Sequence, residues 1–198
     1  MKSDTPIVKD LVLIGGGHSH VAVLKMFGMK PMPGVRITLI TRDVDTPYSG
    51  MLPGFIAGHY EFEQTHIDLR PLVQFANARI YHDEAIGIDH VNKKVICRNR
   101  PPVAFDILSI NIGSTPNLET PGAKDYVTPV KPINNFVNRW QGLFERVCER
   151  TDEIHIGGVG AGAGGVEVLL AIEHRLRRDF ADAGRPSNHI KFHLITDA

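Results

Sequence analysis

The chain has 198 residues, of which 42% are hydrophobic and 22% are charged, a composition typical of a globular protein with a sizeable core. Its 22 basic and 22 acidic side chains balance, so no basic face favours nucleic acid and we expect no nucleic-acid partner. No apolar run approaches the ~18 residues of a membrane span and residues 1–6 lack the apolar core of a signal peptide, so we expect a cytoplasmic protein, with peripheral membrane contact left open.

A strand, a glycine loop and a helix open the chain in direct succession. The apolar residues 11–14 lead into Gly-Gly-Gly-His-Ser-His at residues 15–20, and a helical segment follows at residues 21–27. A second strand, residues 35–41, comes at the distance that a βαβ unit requires, so amides at the helix terminus can hold a pyrophosphate. The pattern predicts a dinucleotide site, although His20 stands where the fingerprint has a third Gly or Ala.

The next segments predict one long loop and one short helix. Residues 42–54 are too rich in Pro and Gly for a helix interior or a central strand, so we expect an ordered loop that wraps a ligand; the alternative is a passive surface connection. Residues 68–78 have helical spacing, with Pro71 tolerable in a first turn.

Strands and a domain boundary follow. Residues 79–89 and 94–98 alternate apolar and polar side chains across a turn, which predicts an antiparallel hairpin. Residues 105–113 are an apolar run typical of a buried parallel strand that returns to the first sheet. Residues 120–132 hold three prolines and read as a linker, so we divide the chain into domains 1–130 and 131–198.

A second, complete fingerprint lies in the last third of the chain. Residues 133–150 predict a helix with Asn134 or Asn135 as cap and Trp140 in the core. After the apolar strand at residues 154–159 comes Gly-Ala-Gly-Ala-Gly-Gly at residues 160–165, then a helix and a second strand. Gly160 stands 145 residues after Gly15, a spacing that suits tandem nucleotide-binding domains and not a solenoid.

The fold class expected is therefore α/β, with tandem Rossmann-like units built on parallel sheets and an antiparallel hairpin excursion. Two dinucleotides in one chain imply electron transfer between them. The ten histidines show no spacing typical of metal ligands, so we expect no metal site.

Taken with both glycine loops, the segments Tyr-Ser-Gly-Met-Leu-Pro-Gly at residues 48–54 and Ile-Asn-Ile-Gly-Ser-Thr-Pro at residues 110–116 carry a family resemblance. The chain resembles the FAD-dependent pyridine nucleotide-disulfide oxidoreductases over residues 9–198. Within them it is similar to the type II NADH dehydrogenase-like flavoproteins, in particular to the flavoprotein domain fused ahead of selenide, water dikinase. The resemblance implies FAD on the first loop, NAD(P)H on the second and a quinone or another small molecule as electron acceptor.

The resemblance also implies a set of cofactor-binding residues, matched position by position. For FAD they are Gly15, Gly17, His18, Ser19, His20, Thr41, Arg42, Ser49, Gly50, Met51, Leu52, Pro53, Ala85, Asn111, Ile112, Gly113 and Ser114. For NAD(P)H they are Gly160, Gly162, Gly164, Gly165 and Glu167. Thr196 and Asp197 end the last strand without an Arg nearby, which favours NADH over NADPH. No catalytic acid or base is identified.

Four of these assignments have alternatives. His18 and His20 could cap the helix instead of meeting the ligand, and His20 could either widen the gap between helix and strand or turn outward. Thr41 replaces the family's acidic residue at the adenosine ribose. Ala85 could be an ordinary strand residue, and Glu167 a solvated charge at a helix start.

The cysteines and the length of the chain add further expectations. Cys97 and Cys148 have no redox spacing, so we expect no dithiol relay and expect electrons to leave the flavin directly. The chain resembles a truncated family member. A two-stranded second sheet would expose Ile156, Val168, Leu169, Leu194 and Ile195, which predicts self-association. The alternative function is a non-catalytic nucleotide-binding or accessory module.

Overall fold

The computed structural model describes residues 5–197. Its contacts divide the chain into two units. The first unit comprises the residues up to Thr46 together with His66–Gly113, and the second comprises Pro47–Thr65 together with the residues from Ser114 onward. The division into nucleotide-binding domains 1–130 and 131–198 was inferred from the sequence, and it stays a prediction.

The helices and strands are numbered in chain order. They are β1 Lys9–Ile14, α1 His18–Met29, β2 Val35–Thr41, β3 Asp45–Pro47, α2 Leu52–Ile56, α3 Phe62–Thr65, β4 His66–Asp68, α4 Leu69–Phe75, β5 Arg79–His82, β6 Ala85–Asp89, β7 Lys94–Cys97, β8 Val103–Ala104, β9 Ile107–Ile110, α5 Ala123–Tyr126, α6 Ile133–Glu149, β10 Ile154–Val159, α7 Ala163–Asp182 and β11 Ile190–Ile195.

The first unit is built on a four-stranded parallel sheet in the order β5-β2-β1-β9. Both of its faces are covered, so successive residues of β1 enter different cores. Leu13 packs with Leu24 of α1 and Leu69 of α4, whereas Val12 and Ile14 pack in the cluster that contains the hairpin strand β7. Burial on both faces explains why these strands read as continuous apolar runs. The expected return of the chain to this sheet through β9 is confirmed.

The predicted short helix is confirmed as α4. Its N-cap Asp68 accepts a hydrogen bond of 2.9 Å from the amide of Arg70. Pro71 falls in the first turn, where its missing N–H costs nothing. The buried residues Leu69 and Val73 lie on the side of the helix that faces the sheet.

The prediction of one hairpin over residues 79–98 is partly wrong. β6 and β7 do pair antiparallel, and β8 extends them to three strands. β5, however, lies parallel to β2, with Thr38 opposite Arg79. Alternating side chains predict a strand but not the strand with which it pairs. That pairing depends on which sheet edge lies beside the strand in the folded protein.

The prediction that residues 42–54 form one long ordered loop is wrong as to secondary structure, since β3 covers Asp45–Pro47 and a helix begins at Leu52. Ser49–Met51 form a 3₁₀ turn and α2 follows at once. Pro53 is compatible because it lies in the first helical turn. Leu52 and Ile56 anchor this short helix in the hydrophobic core of the second unit, so packing overrides the weak local propensity.

The second unit encloses its core between helices α2, α6 and α7 and one face of the two parallel strands β10 and β11. Trp140 is buried there, as predicted. The predicted caps of α6 are wrong, since its N-cap is Pro132 and no side chain caps it. The segment predicted as a linker, residues 120–132, contains the short helix α5.

The exposure expected of five apolar residues holds for only part of the set. Leu194 and Ile195 are 44% and 54% exposed, as expected. Val168 and Leu169 are buried, contrary to expectation: Val168 belongs to the core of the second unit, and Leu169 lies against Gly158 of β10. Ile156 is half-buried against the same core.

Candidate functional site

The first glycine loop joins the carboxyl end of β1 to the start of α1. Gly15 has a φ of +88°, a left-handed conformation that strongly favours glycine, and its amide donates to the Ile40 carbonyl of β2 at 2.8 Å. The helix begins at once, with the amides of His20 and Val21 both donating to the Gly17 carbonyl, at 2.9 and 3.1 Å. Helix-terminal amides therefore lie at the carboxyl edge of a parallel sheet, where α/β proteins hold anionic ligands.

Asn111, at the end of β9, explains two of the glycines. A Cβ at Gly15 would lie 2.3 Å from the Asn111 carbonyl oxygen, and a Cβ at Gly17 would lie 2.6 Å from its side-chain carboxamide. The Asn111 amide in turn donates to the Ile14 carbonyl at 2.8 Å. The loop is thus in close contact with the end of β9, through the main chain of Asn111 at Gly15 and through its side chain at Gly17.

His20 lies beneath this loop with only 1% of its surface exposed. Its Nδ1 is 2.6 Å from the Gly15 carbonyl oxygen and its Nε2 is 2.9 Å from the Ser109 hydroxyl of β9. The expectations that it turns outward or caps the helix are wrong, since Gly17 is the N-cap and no side chain caps α1. Burial lowers the pKa of His20, an effect that the hydrogen bond to Gly15 partly opposes, so the neutral ring is favoured.

His18 and Ser19 occupy the first turn of α1 and are exposed beside the loop. The capping alternative is wrong for His18 as well, for the same reason. Their exposure leaves the amino-terminal face of the helix accessible, so contact of this turn with a ligand stays a prediction.

The residues predicted at the adenosine lie at the end of β2 and at the start of β6. Thr41 is buried and its hydroxyl donates to the Asp43 carbonyl at 2.8 Å, while exposed Arg42 forms an ion pair with Asp43. The Thr41 hydroxyl is therefore engaged in a hydrogen bond within the turn that follows β2. Ala85 begins β6 and packs against the cluster around Val95. Ligand contact by these residues stays a prediction.

Sequence reasoning missed the buried carboxylate of Asp83. It accepts hydrogen bonds from the amides of Glu84 and Asn99 and from the Asn99 side chain, and it lies 3.5 Å from Arg100. Burial works to raise the pKa of Asp83, but these hydrogen bonds and Arg100 outweigh it and lower the pKa. Because every partner lies in or next to the hairpin, Asp83 fixes the start of the β6–β7 excursion. An Asp that follows a short strand carries no sequence pattern from which this buried, structural role could have been predicted.

The residues predicted beside the flavin ring belong to the second unit. Ser49 and Gly50 are exposed in the 3₁₀ turn, Met51 and Pro53 are half-buried, and Leu52 is buried in the core. Asn111, Ile112 and Gly113 end the first unit, and exposed Ser114 starts the return to the second. Residues 49–53 thus belong to the second unit and residues 111–113 to the first. The contact of either set with a ligand stays a prediction.

The second glycine loop repeats the backbone of the first. Gly160 has a φ of +96° and its amide donates to the Ile195 carbonyl at 2.8 Å, as that of Gly15 does to β2. The amides of Gly165 and Val166 donate to the Gly162 carbonyl at 2.9 and 3.1 Å, as those of His20 and Val21 do to Gly17. The two loops therefore have the same hydrogen-bond pattern at an offset of 145 residues.

The second loop differs from the first in how it is surrounded. A Cβ at Gly160, Gly162 or Gly164 would meet no atom within 4 Å. A Cβ at Gly165, in contrast, would lie 2.5 Å from the Gly160 carbonyl oxygen. Open space above three glycines is what close approach of a pyrophosphate to the main chain needs. Glu167 is exposed in the first turns of α7, where either of its alternatives remains.

Both cysteines are free thiols in the structure. Cys97 is buried beneath the parallel sheet of the first unit and Cys148 is half-buried on α6. Burial raises the pKa of each thiol, which disfavours the nucleophilic thiolate.

Over residues 5–197, no cluster of three or more His, Cys, Asp or Glu side chains is arranged to bind a metal ion. Within the same residues, no helix is both long and apolar enough to cross a bilayer.

Comparison with known proteins gives the same architecture. No protein-family model matches the chain. It is 31% identical over 178 residues to the NADH dehydrogenase-like protein YutJ of Bacillus subtilis, covering 87% of this chain and 46% of that protein. It is also 31% identical over 111 residues to the sulfide-quinone reductase of Aquifex aeolicus, covering 54% of this chain and 25% of that protein.

Among solved structures, NDH2 of Plasmodium falciparum in complex with NADH superposes with a TM-score of 0.73 at 16% identity, covering 94% of this chain and 41% of that one. The fold is thus the Rossmann-like α/β fold of FAD- and NAD-binding proteins, as predicted. The chain spans about half the length or less of the curated relatives it matches. Its homologues, NADH dehydrogenase-like proteins and a sulfide-quinone reductase, identify the superfamily as that of the FAD-dependent pyridine nucleotide-disulfide oxidoreductases.

Proposed function

We propose that this chain is the nucleotide-binding part of an FAD-dependent oxidoreductase that takes hydride from NAD(P)H and passes electrons to a quinone or another small acceptor. The observation that carries the proposal is the repetition of one loop conformation, at Gly15–Gly17 and at Gly160–Gly162, in two separate units. One dinucleotide per loop is what a hydride transfer between cofactors requires. The likeness to an NADH dehydrogenase-like protein supports this order of redox partners.

The residues of the two loops fit the phosphate groups of these cofactors. The amides at the start of α1, at His18 and Ser19, and those at the start of α7 would face the pyrophosphates, since helix amino termini favour anions. At the second loop the missing side chains of Gly160, Gly162 and Gly164 leave the main chain accessible. Bound FAD would supply the redox chemistry, while the protein would position the two cofactors and exclude water.

The remaining assignments are part of the same proposal. We assign FAD to the domain formed by residues 1–130 and NAD(P)H to residues 131–198, with NADH favoured. The flavin-side residues at 49–53 and 111–114, the adenosine-side residues Thr41, Arg42 and Ala85, and Glu167 at the nicotinamide ribose belong to it. So do a cytoplasmic location and the relationship to the flavoprotein domain fused ahead of selenide, water dikinase.

A second candidate is a module that binds nucleotides without turning them over. Within the described residues the sheet of the second unit has two strands, and one of its faces carries exposed Val159 and Ile195. A pocket for nicotinamide needs walls on several sides to hold the ring in a productive geometry. This candidate is supported if flavin binds and NADH fails to reduce it.

The experiment is a visible spectrum of the purified protein, before and after reconstitution with FAD, followed by anaerobic addition of NADH. We expect flavin absorbance that NADH bleaches and that a quinone restores. Flavin absorbance that NADH leaves unchanged supports the binding module instead. A protein that retains no flavin after reconstitution contradicts the oxidoreductase, because that candidate needs the first loop to hold FAD.

A further inference from the structure

The first glycine loop contains a buried histidine at the position where the fingerprint has its third glycine. His20 contacts the loop itself and the neighbouring strand: its Nδ1 is 2.6 Å from the Gly15 carbonyl oxygen and its Nε2 is 2.9 Å from the Ser109 hydroxyl of β9. It is the most deeply buried polar residue among the residues described, with 1% of its surface exposed. A buried imidazole with both nitrogens bonded is fixed in one orientation.

The hydrogen bonds determine how the ring is protonated. A carbonyl oxygen only accepts, so Nδ1 of His20 carries the proton that it donates to Gly15. The lone pair of Nε2 then accepts from the Ser109 hydroxyl, which can rotate to suit. The neutral Nδ1–H tautomer therefore satisfies all four groups: both ring nitrogens, the carbonyl and the hydroxyl.

The second loop shows what the histidine replaces. Gly165 stands where His20 stands, 145 residues later, and its α-carbon comes so close to Gly160 that an added Cβ would be 2.5 Å from the carbonyl oxygen. In the second unit, the helix therefore packs directly against the carbonyl of Gly160, the first glycine of that loop. In the first unit the corresponding carbonyl is held by a hydrogen bond from a ring inserted between helix and loop.

We propose that His20 is the positioning residue of the first dinucleotide loop: its Nδ1–H fixes the Gly15 carbonyl and so sets the direction of the loop amides that meet the pyrophosphate. The proposal rests on the proposed function, since it concerns the loop that would bind FAD. His20 acts from beneath the loop and does not touch the ligand. Loss of the His20 ring would leave the part-buried Gly15 carbonyl without the donor that His20 supplies and would free the loop to rotate.

A pair of variants separates the hydrogen bond from packing. His20→Asn places an amide N–H near the position of Nδ1 and so keeps a donor for the Gly15 carbonyl. In His20→Leu the new side chain has a size and shape similar to those of Asn but has no donor. The probes are FAD, titrated by flavin fluorescence, and NADH, titrated separately as a ligand of the second loop. His90, which is exposed in the turn after β6, supplies the matched controls His90→Asn and His90→Leu.

We expect His20→Asn to bind FAD within about threefold of the parent and His20→Leu to bind it about 5- to 100-fold more weakly, the range set by a buried acceptor left without its donor. The affinity for NADH should stay unchanged in both variants, as should FAD binding in both His90 controls. Hydrogen exchange of residues 11–24 without ligand should be faster in His20→Leu than in His20→Asn, because the loop is then no longer fixed.

Each outcome bears on the proposal. Equal FAD affinity of His20→Asn and His20→Leu overturns it, because the ring then acts only by filling space. If neither variant folds, Ser109→Ala removes one partner of the ring, and unchanged loop exchange and FAD affinity in that variant overturn the proposal. A parent protein that binds no FAD contradicts the proposed function and this proposal together, whereas a parent that binds FAD with insensitive variants contradicts this proposal alone.

Discussion

Gly164 and Gly165 are neighbours in the first turn of α7, yet the structure predicts opposite effects when each is replaced by alanine. Both substitutions gain helix propensity, by up to about 1 kcal/mol in a helix interior and less near the terminus. At Gly164 the added Cβ meets no atom within 4 Å, so the gain stands alone. At Gly165 the Cβ would lie 2.5 Å from the Gly160 carbonyl oxygen, a main-chain atom that cannot rotate away.

The magnitude follows from the difference between the two variants. Since they share nearly the same change in propensity, the difference isolates the contact with Gly160. Forcing extra atoms into a packed site costs typically about 1–3 kcal/mol. We therefore expect Gly164→Ala to raise the free energy of unfolding of the second unit by about 0.5 kcal/mol and Gly165→Ala to fall about 1–3 kcal/mol below Gly164→Ala.

The assay is urea unfolding followed by the fluorescence of Trp140. This is the single tryptophan of the chain and it is buried in the core of the second unit, so its signal reports on that unit. Gly142→Ala on α6, where a Cβ would meet only the flexible Arg146 side chain at 3.5 Å, is a control for a helical glycine without a main-chain contact. Equal free energies of unfolding for the Gly164 and Gly165 variants would refute the close packing of the third glycine.

Four other predictions concern the cofactors, pH and assembly. Gly17→Val should abolish FAD retention, because its side chain would displace Asn111 and block the loop amides; flavin content equal to that of the parent would show that the loop is misassigned. Burial lowers the pKa of His20 below its usual 6.5, so the stability that the neutral ring contributes is complete above about pH 6.5 and is lost as the pH falls toward the folded-state pKa. Urea unfolding followed by far-UV circular dichroism should therefore show a decrease in the free energy of unfolding below about pH 6.5 that His20→Asn lacks. NADH should reduce the flavin faster than NADPH in stopped flow, since Thr196 and Asp197 offer no guanidinium to a 2′-phosphate; faster reduction by NADPH would overturn this preference. The exposed apolar end of β11 should cause self-association, and a monodisperse monomer in gel filtration with light scattering would contradict it.

The sequence was sufficient to predict the elements whose signal is local and strong. β1, β2 and β9 are apolar runs because both faces of their sheet are covered, and α6 has a clear 3.6-residue period with Trp140 on its buried side. The glycine loops were located for the same reason: their residue types are dictated by backbone conformation, such as the positive φ of Gly15 and Gly160.

The elements that were mispredicted owe their form to distant partners. β5 alternates like a hairpin strand, but β2 offers it a parallel edge, and nothing in residues 79–82 encodes that choice. α2 has only five residues, with Pro53 and Gly54 among them, and it exists because Leu52 and Ile56 are buried in the second core. The orientation of His20 is of the same kind, since Ser109 lies 89 residues away.

The two loops also show that one glycine pattern can have two physical causes. At Gly15 and Gly17 the absence of a side chain is imposed from within, because Asn111 at the end of β9 occupies the space that a Cβ would need. At Gly160 and Gly162 no described atom occupies that space, and in the described residues no strand pairs with β10 on the side opposite β11. The positive φ of Gly160 still favours glycine there, but Gly162 has an ordinary extended conformation that any residue can adopt. No described atom therefore requires a glycine at 162 for steric reasons, whereas close approach of a ligand to the main chain would. The same holds for Gly164, where a Cβ would also meet no described atom, so we expect a dinucleotide to approach the main chain at these two positions.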